Sequence, residues 1–229
     1  MIGIICAMEE EIRGIENDMH IKSESTISSV RFRYGNYQGK ECVVALSGVG
    51  KVFAAICSQI MIMNYKPECI INIGTAGGIG SNINMLDLVI AKNVIQHDYD
   101  ISAFSDKKRG QISGLDICEI PCSERLIKIF GQAAEKLSLN FHLGNVLTGD
   151  QFINDTAKIE NLREEFDALA CEMESGAIGQ VCFVNKVEFA ALKTISDGAN
   201  KTSVNDFSNF IVRYPQIINN LIKEIIVKI

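Results

Sequence analysis

Ala168-Leu169-Ala170-Cys171-Glu172-Met173-Glu174-Ser175-Gly176-Ala177-Ile178-Gly179 is the stretch that decides the fold. Ala168 to Cys171 is an apolar run of strand length, and Ser175 to Val184 is apolar over the length of a short helix. Between them stand two carboxylates, Glu172 and Glu174. The same order recurs at both ends of the chain. Ile2 to Cys6 is a continuous apolar run followed by Glu9-Glu10-Glu11, and Phe189 to Ile195 is another that ends in Ser196-Asp197. Short continuous apolar runs are what strands covered on both faces look like. Acids at the ends of such strands are badly placed for stability and well placed for a ligand.

Working outward, the chain alternates these two kinds of segment. Cys69 to Ile73, Asp87 to Ile95 and Gly144 to Thr148 read as strands; Met8 to Asn17, Lys51 to Asn64, Ser123 to Leu137 and Asp155 to Phe166 read as helices, with Ser123 an N-cap. Val30 to Tyr37 and Glu41 to Leu46 form an expected hairpin turning at Asn36 to Lys40. Gln96 to Cys118 is polar, irregular and long enough to be a functional loop. A last helix is expected from Asp206 onward, broken or kinked near Pro215. This succession predicts an α/β fold: a three-layer α/β/α sandwich around a central, mostly parallel mixed sheet, as one domain over residues 1–229.

A chain that is 47% hydrophobic can bury a sizeable core. Its net charge of -6 argues against a nucleic-acid partner, whose phosphates demand a basic face. Eight cysteines are present without a CxxC pair, and Cys6, Cys42, Cys57, Cys69, Cys171 and Cys182 sit in apolar stretches where a free thiol acts as a small hydrophobe. Cys118 and Cys122 are the closest pair and have no histidine nearby, so neither a disulfide framework nor a zinc site is expected, and a reducing cytoplasm is the simplest setting. Met1 to Met8 lacks a basic leader and reads as a buried first strand, and no apolar run reaches the roughly 18 residues of a membrane span.

Three motifs invite richer readings. Gly48-Val49-Gly50-Lys51 fails as a P-loop, because position 45 is Ala and Val52 replaces the hydroxyl residue. Gly74 to Gly80 has the spacing G-x-x-G-G-x-G, which is not the dinucleotide fingerprint; it is either a turn out of a strand or backbone pressed against a ligand. His97-Asp98 resembles the start of a metal-dependent phosphohydrolase signature, but three histidines in the chain are too few, and structural roles are expected. Glu9-Glu10-Glu11 reads as a solvated first helical turn from which one acid can point over the sheet edge. Several carboxylates without a metal suit polyols, amines and purines, and proton transfer as the chemistry.

Together these pieces resemble the nucleosidases that cleave 5'-methylthioadenosine and S-adenosylhomocysteine, in the nucleoside phosphorylase superfamily. The likeness rests on Ile4 to Glu11, Ser47 to Val52, Asn72 to Gly78, His97-Asp98, Gly149 to Asn154, Glu172-Met173-Glu174 and Ser196-Asp197, in that order over nearly the whole chain. It implies N-glycosidic hydrolysis of a small nucleoside without metal or cofactor, and a homodimer. By resemblance, Asp197 is the general acid at purine N7 with Ser196 holding it, Glu11 activates water, and Thr75 helps hold that water. Glu174 receives the ribose hydroxyls with Met173 under the sugar; Glu172 and Met8 join the substrate-binding set. Phe152 stacks on adenine, the Ile153 backbone reads its edge, Val49 and Phe207 line the pocket, and Phe104 serves the neighbouring subunit's site.

The chain departs from the family pattern at Lys193, where the family usually has Arg, at Asp106 in the loop after Phe104, and at Tyr99. Lysine keeps the charge and loses the bidentate fork. Rival readings are a phosphate-dependent phosphorylase, whose phosphate the carboxylates after the first strand would repel, an aminodeoxyfutalosine-type nucleosidase sharing the same site, and a non-catalytic nucleoside binder, which would have no need of Glu11 and Asp197.

Overall fold

The computed structural model describes residues 1–198 and 203–229; for 203–209, 211–213 and 216 it describes the backbone alone. The chain begins β1 (Ile2–Cys6), α1 (Glu9–Asp18), β2 (His20–Ile27), β3 (Val30–Tyr37), β4 (Lys40–Leu46), α2 (Lys51–Tyr65), β5 (Cys69–Gly78) and β6 (Leu88–Gln96). It continues β7 (Ile120–Pro121), α3 (Glu124–Lys136), β8 (Phe141–Thr148), α4 (Thr156–Phe166), β9 (Ala168–Glu172), α5 (Ser175–Asn185), β10 (Glu188–Asp197) and α6 (Ser203–Lys228). The expected layered α/β architecture is present. No described helix is long and apolar enough to cross a membrane.

The sheet runs β10-β6-β8-β9-β5-β1-β4-β3-β2, and β10 pairs with β5 as well, so five of its strands close into a ring. Parallel pairs (β1 with β4 and β5, β5 with β10, β6 with β8, β8 with β9) hold the centre. β1, β5 and β10 are buried almost throughout, which is why their sequences are continuous apolar runs. Fully buried Ile4, Ile5, Ile70, Ile71, Leu88, Val89 and Ile90 form the core with the inner faces of the helices, each worth about 1.5–3 kcal/mol of apolar burial. A second cluster (Ile95, Leu147, Ile159, Leu162 and Phe166) seats α4.

The expected hairpin is present as β3 and β4. One strand was missed and two expectations need correction. β2 extends the hairpin to a three-stranded meander; it is mostly exposed and polar, so it carries no hydrophobic signal, and it turns through Ser28 and Ser29, both with positive φ. The glycine-dense segment is not a loop, since β5 runs through to Gly78 with no positive φ there. The last helix is not broken at Pro215, which lies inside α6.

The register explains where the acids go. Asp197 lies beside Gly77, Gly77 beside Cys171, and Glu172 beside Thr148. A register shift between Ile195 and Asp197 inserts Ser196, a bulge that re-aims the end of β10. Four strand ends therefore meet at one rim of the ring.

Candidate active site

At that rim lies a cavity of about 260 Å³. Its walls include Met8, Glu11, Val49, Thr75, Phe152, Glu172, Met173, Glu174, Ser196 and Asp197, together with Ala7, Ala76, Gly77 and Cys171. Ile153 lines a narrow recess of about 40 Å³ that shares Phe152, Met173 and Asp197 with the main cavity. Phe104, 81% exposed, lines neither, and the side chain of Phe207 lies outside the described residues. Ala7, Ala76, Gly77 and Cys171 were not expected; they enter as flanking backbone and small side chains, for which sequence offers no signal beyond adjacency.

Glu11 is the acid of its run that turns inward, while Glu9 pairs outside with Arg31 at 3.0 Å. Its Oε2 accepts from the backbone N–H groups of Met8 (3.0 Å) and Ala7 (2.9 Å), so the carboxylate caps its own helix. Its Oε1 accepts from Thr75 N (2.9 Å) and Thr75 Oγ1 (3.2 Å). A Cβ on Gly74 would lie 2.8 Å from Oε1, so β5 needs glycine to let this acid approach. Burial pushes the Glu11 carboxyl up, against the opposing pull of Lys193 and the backbone donors.

The two glutamates after β9 separate into different environments. Glu172 and Lys193 form an ion pair at 2.8 Å with both side chains 2% exposed. Glu172 also accepts from Thr148 Oγ1, Glu174 N (3.1 Å) and Ser175 N (2.9 Å). Burial opposes its charge, yet Lys193 and these donors hold its carboxyl below the usual range. Glu174 accepts from Gly50 N at 2.8 Å. Burial and the adjacent Glu172 charge push it up to about 8. Lys193 is disfavoured by burial, but Glu172, Glu174 and Glu11 together hold it above its ordinary value. Burial and Lys193 thus drive two neighbouring carboxyls apart, Glu172 toward the anion and Glu174 toward the neutral acid, a pattern that recurs where a cleft binds a ligand.

At the end of β10, Ser196 Oγ donates to Asp197 Oδ2 at 2.7 Å and lies 3.3 Å from the carbonyl of Ala76. Asp197 is buried at the end of β10. Phe152 stands half-exposed at the mouth, while the Ile153 side chain is buried in the α4 cluster and anchors that loop. Among the described residues the cavity thus offers one flat aromatic surface in Phe152, a thioether in Met173, and four buried carboxyls, Glu11, Glu172, Glu174 and Asp197. It can hold a compact polyhydroxylated molecule with a planar ring and move protons at two separate points.

The sequence profile of the Phosphorylase superfamily matches residues 1–227. A 5'-methylthioadenosine/S-adenosylhomocysteine nucleosidase of Bacillus subtilis is 36% identical over 98% of this chain and 99% of its own. The 5'-methylthioadenosine/S-adenosylhomocysteine nucleosidase of Neisseria meningitidis, solved with methylthio-immucillin-A, superposes with a TM-score of 0.95 at 28% identity, covering 100% of this chain and 99% of that one. The futalosine hydrolase of Helicobacter pylori superposes with a TM-score of 0.93 at 30% identity, over 100% and 97%. The chain belongs to the phosphorylase superfamily, among its 5'-methylthioadenosine/S-adenosylhomocysteine nucleosidases, and is a nucleosidase.

Proposed function

We propose that the cavity hydrolyses the N-glycosidic bond of 5'-methylthioadenosine and S-adenosylhomocysteine, and of 5'-deoxyadenosine, releasing adenine. The observation that carries this reading is that Glu11, Glu174 and Asp197, three buried acids brought by α1, the end of β9 and the end of β10, line one cavity.

In this mechanism Asp197, held by Ser196, gives its proton to adenine N7 as the bond from N9 to the ribose breaks. Positive charge grows on the sugar, as in other glycoside cleavages, and the acidic walls favour it. Glu11 takes a proton from the water that attacks the anomeric carbon, and Thr75 helps to hold that water. Burial makes Glu11 a better base than an exposed glutamate, and positioned proton transfer is typically worth ~10²–10⁴ in rate. Glu174 receives the ribose hydroxyls over Met173, Phe152 stacks on the base, and the Ile153 backbone meets its edge. Met8 and Val49 pack around the sugar and its 5' end. Glu172, whose oxygens are engaged by Lys193, Thr148 and the backbone, orients this wall. A phosphorylase is disfavoured because Lys193, the cation paired with the cavity's Glu172, is engaged there, and the carboxylates of the cavity repel phosphate.

The active species is a homodimer in which Phe104 completes the neighbouring site. Supporting this, Phe104 stands far out of its own surface, and α2 presents Val52 (69% exposed) and Met63 (67%) beside α5 with its exposed Phe183 and Val184. The likeness to a futalosine hydrolase favours a second reading, with a bulkier 5' substituent in the same site.

The test is adenine release from 5'-methylthioadenosine, S-adenosylhomocysteine and aminodeoxyfutalosine, with and without phosphate, for the wild type and Glu11→Gln. Phosphate-independent release that the variant loses is expected. Release only with phosphate refutes hydrolysis, and release from aminodeoxyfutalosine alone moves the substrate to the second reading.

A further inference from the structure

The rim of the cavity is made by two loops far apart in sequence. One, between β4 and α2, carries Val49 and Gly50, whose N–H is bonded to Glu174. The other, between β8 and α4, carries Phe152 and Ile153. Neither loop is paired in the sheet. They meet through three charged side chains that do not line the cavity.

Lys51 Nζ donates to Asp98 Oδ1 at 2.7 Å. Asp98 Oδ2 accepts from the Asp150 N–H at 2.9 Å. Asp150 Oδ1 accepts from the Lys51 N–H at 2.8 Å. The circuit is closed: each residue touches both others. Gly50 makes no side-chain cap for α2, so Asp150 supplies that cap from the opposite loop, where the helix dipole also favours a carboxylate. Gly50 has φ of 100° and a Cβ there would meet Asp150 Oδ1 at 3.1 Å, so the approach depends on glycine. Beneath the circuit, the His97 ring packs against Gly149, where a Cβ would fall 2.3 Å from Nε2. Asp98 and Lys51 are each less than one-fifth exposed, and burial leaves their mutual attraction only partly screened.

We propose that Lys51, Asp98 and Asp150 are positioning residues that clasp the loop bearing Phe152 and Ile153 to the loop bearing Val49 and Gly50, and so set the width of the nucleoside pocket. They act through other residues and touch no substrate. The inference rests on the nucleoside reading of the cavity. Opening the clasp separates the base-stacking wall from the wall that steadies Glu174, which weakens binding of the intact nucleoside while leaving the proton-transfer acids on β10 and α1 in place. The predicted signature is therefore a KM effect without a kcat effect.

The experiment is steady-state hydrolysis of 5'-methylthioadenosine by the wild type, Lys51→Met, Asp98→Asn, the double variant and Lys51→Arg, with adenine affinity by calorimetry and melting temperature for each. The expected result is a KM raised about 5–10-fold in either single variant with kcat within twofold. The double variant is no worse than the singles, because they break one circuit, and Lys51→Arg recovers most of the loss. Unchanged KM, additive single effects, or losses of kcat that track melting temperature overturn the clasp. If the wild type releases no adenine, the substrate reading has failed. The clasp is then judged on adenine affinity alone, where a loss of at least fivefold in both singles supports it and unchanged affinity refutes it.

Discussion

Replacing Lys193 by methionine keeps the side-chain length and removes the cation from a pair in which both partners are 2% exposed and 2.8 Å apart. Removing one partner of a buried ion pair costs about 3–5 kcal/mol, because the other charge stays buried and uncompensated. Glu172 keeps its bonds from Thr148, Glu174 N and Ser175 N, which places the cost near the lower end, about 3 kcal/mol. For a chain of this length that is roughly 6–12 °C in Tm. The loss has a sign in pH. With Lys193 present, Glu172 has a folded pKa below its unfolded one, so it contributes stability above the unfolded value of about 4.3. Without Lys193, burial raises the folded pKa, and stability falls as pH rises. The gap between wild type and variant therefore widens from pH 5 to pH 8. Urea unfolding at both pH values measures it, and the double variant Lys193→Met/Glu172→Gln should recover more than half of the loss. A Tm drop under about 2 °C at pH 8, a larger gap at pH 5, or no recovery in the double variant refutes this account of the pair.

Glu174, with its folded pKa raised to about 8, gives stability that is complete below its unfolded value and lost as pH rises toward 8; Glu174→Gln should flatten the urea-stability profile between pH 5 and 8 by up to about 1.4 kcal/mol per pH unit. Gly74→Ala drives a methyl into Glu11 Oε1 and should lower kcat by roughly 10²-fold with circular dichroism unchanged; activity within twofold of wild type would show that the carboxylate can give way. Cys118 is the one thiol that is not buried, so a thiol-specific disulfide reagent should label a single site in the native protein, and Cys118→Ser should abolish that labelling.

The strands that carry the site were legible because each is buried on both faces and so appears as an uninterrupted apolar run. Glu172, Glu174 and Asp197 were legible because they interrupt such runs where a solvated acid has no reason to stand. Glu11 was only partly legible: the helical period allows one of three glutamates inside, and sequence cannot say which until Gly74 is seen to leave room for it. The glycine-dense segment misled for the same reason. Its glycines serve close side-chain approach within a strand and not a turn. β2 was invisible because an exposed edge strand needs only backbone partners, and His20 to Ile27 offers no alternation. The separation of Glu172 from Glu174 was likewise unreadable, since it depends on Lys193, nineteen and more residues away in sequence and adjacent only across the sheet.

The ring of strands around the cavity is closed by β10, the last strand, which pairs with β5 on one side and β6 on the other. Any stretch of chain that stops before β10 leaves that seam open and lacks Asp197. During synthesis, a chain that has emerged only as far as α5 cannot close the pocket, and the closing contacts span more than a hundred residues, the kind of long-range pairing that slows folding. The appearance of activity is then a clock for the final folding step rather than for collapse of the core. In a refolding experiment adenine release should lag the recovery of helical signal, with the delay set by how long the C-terminal strand takes to find its slot.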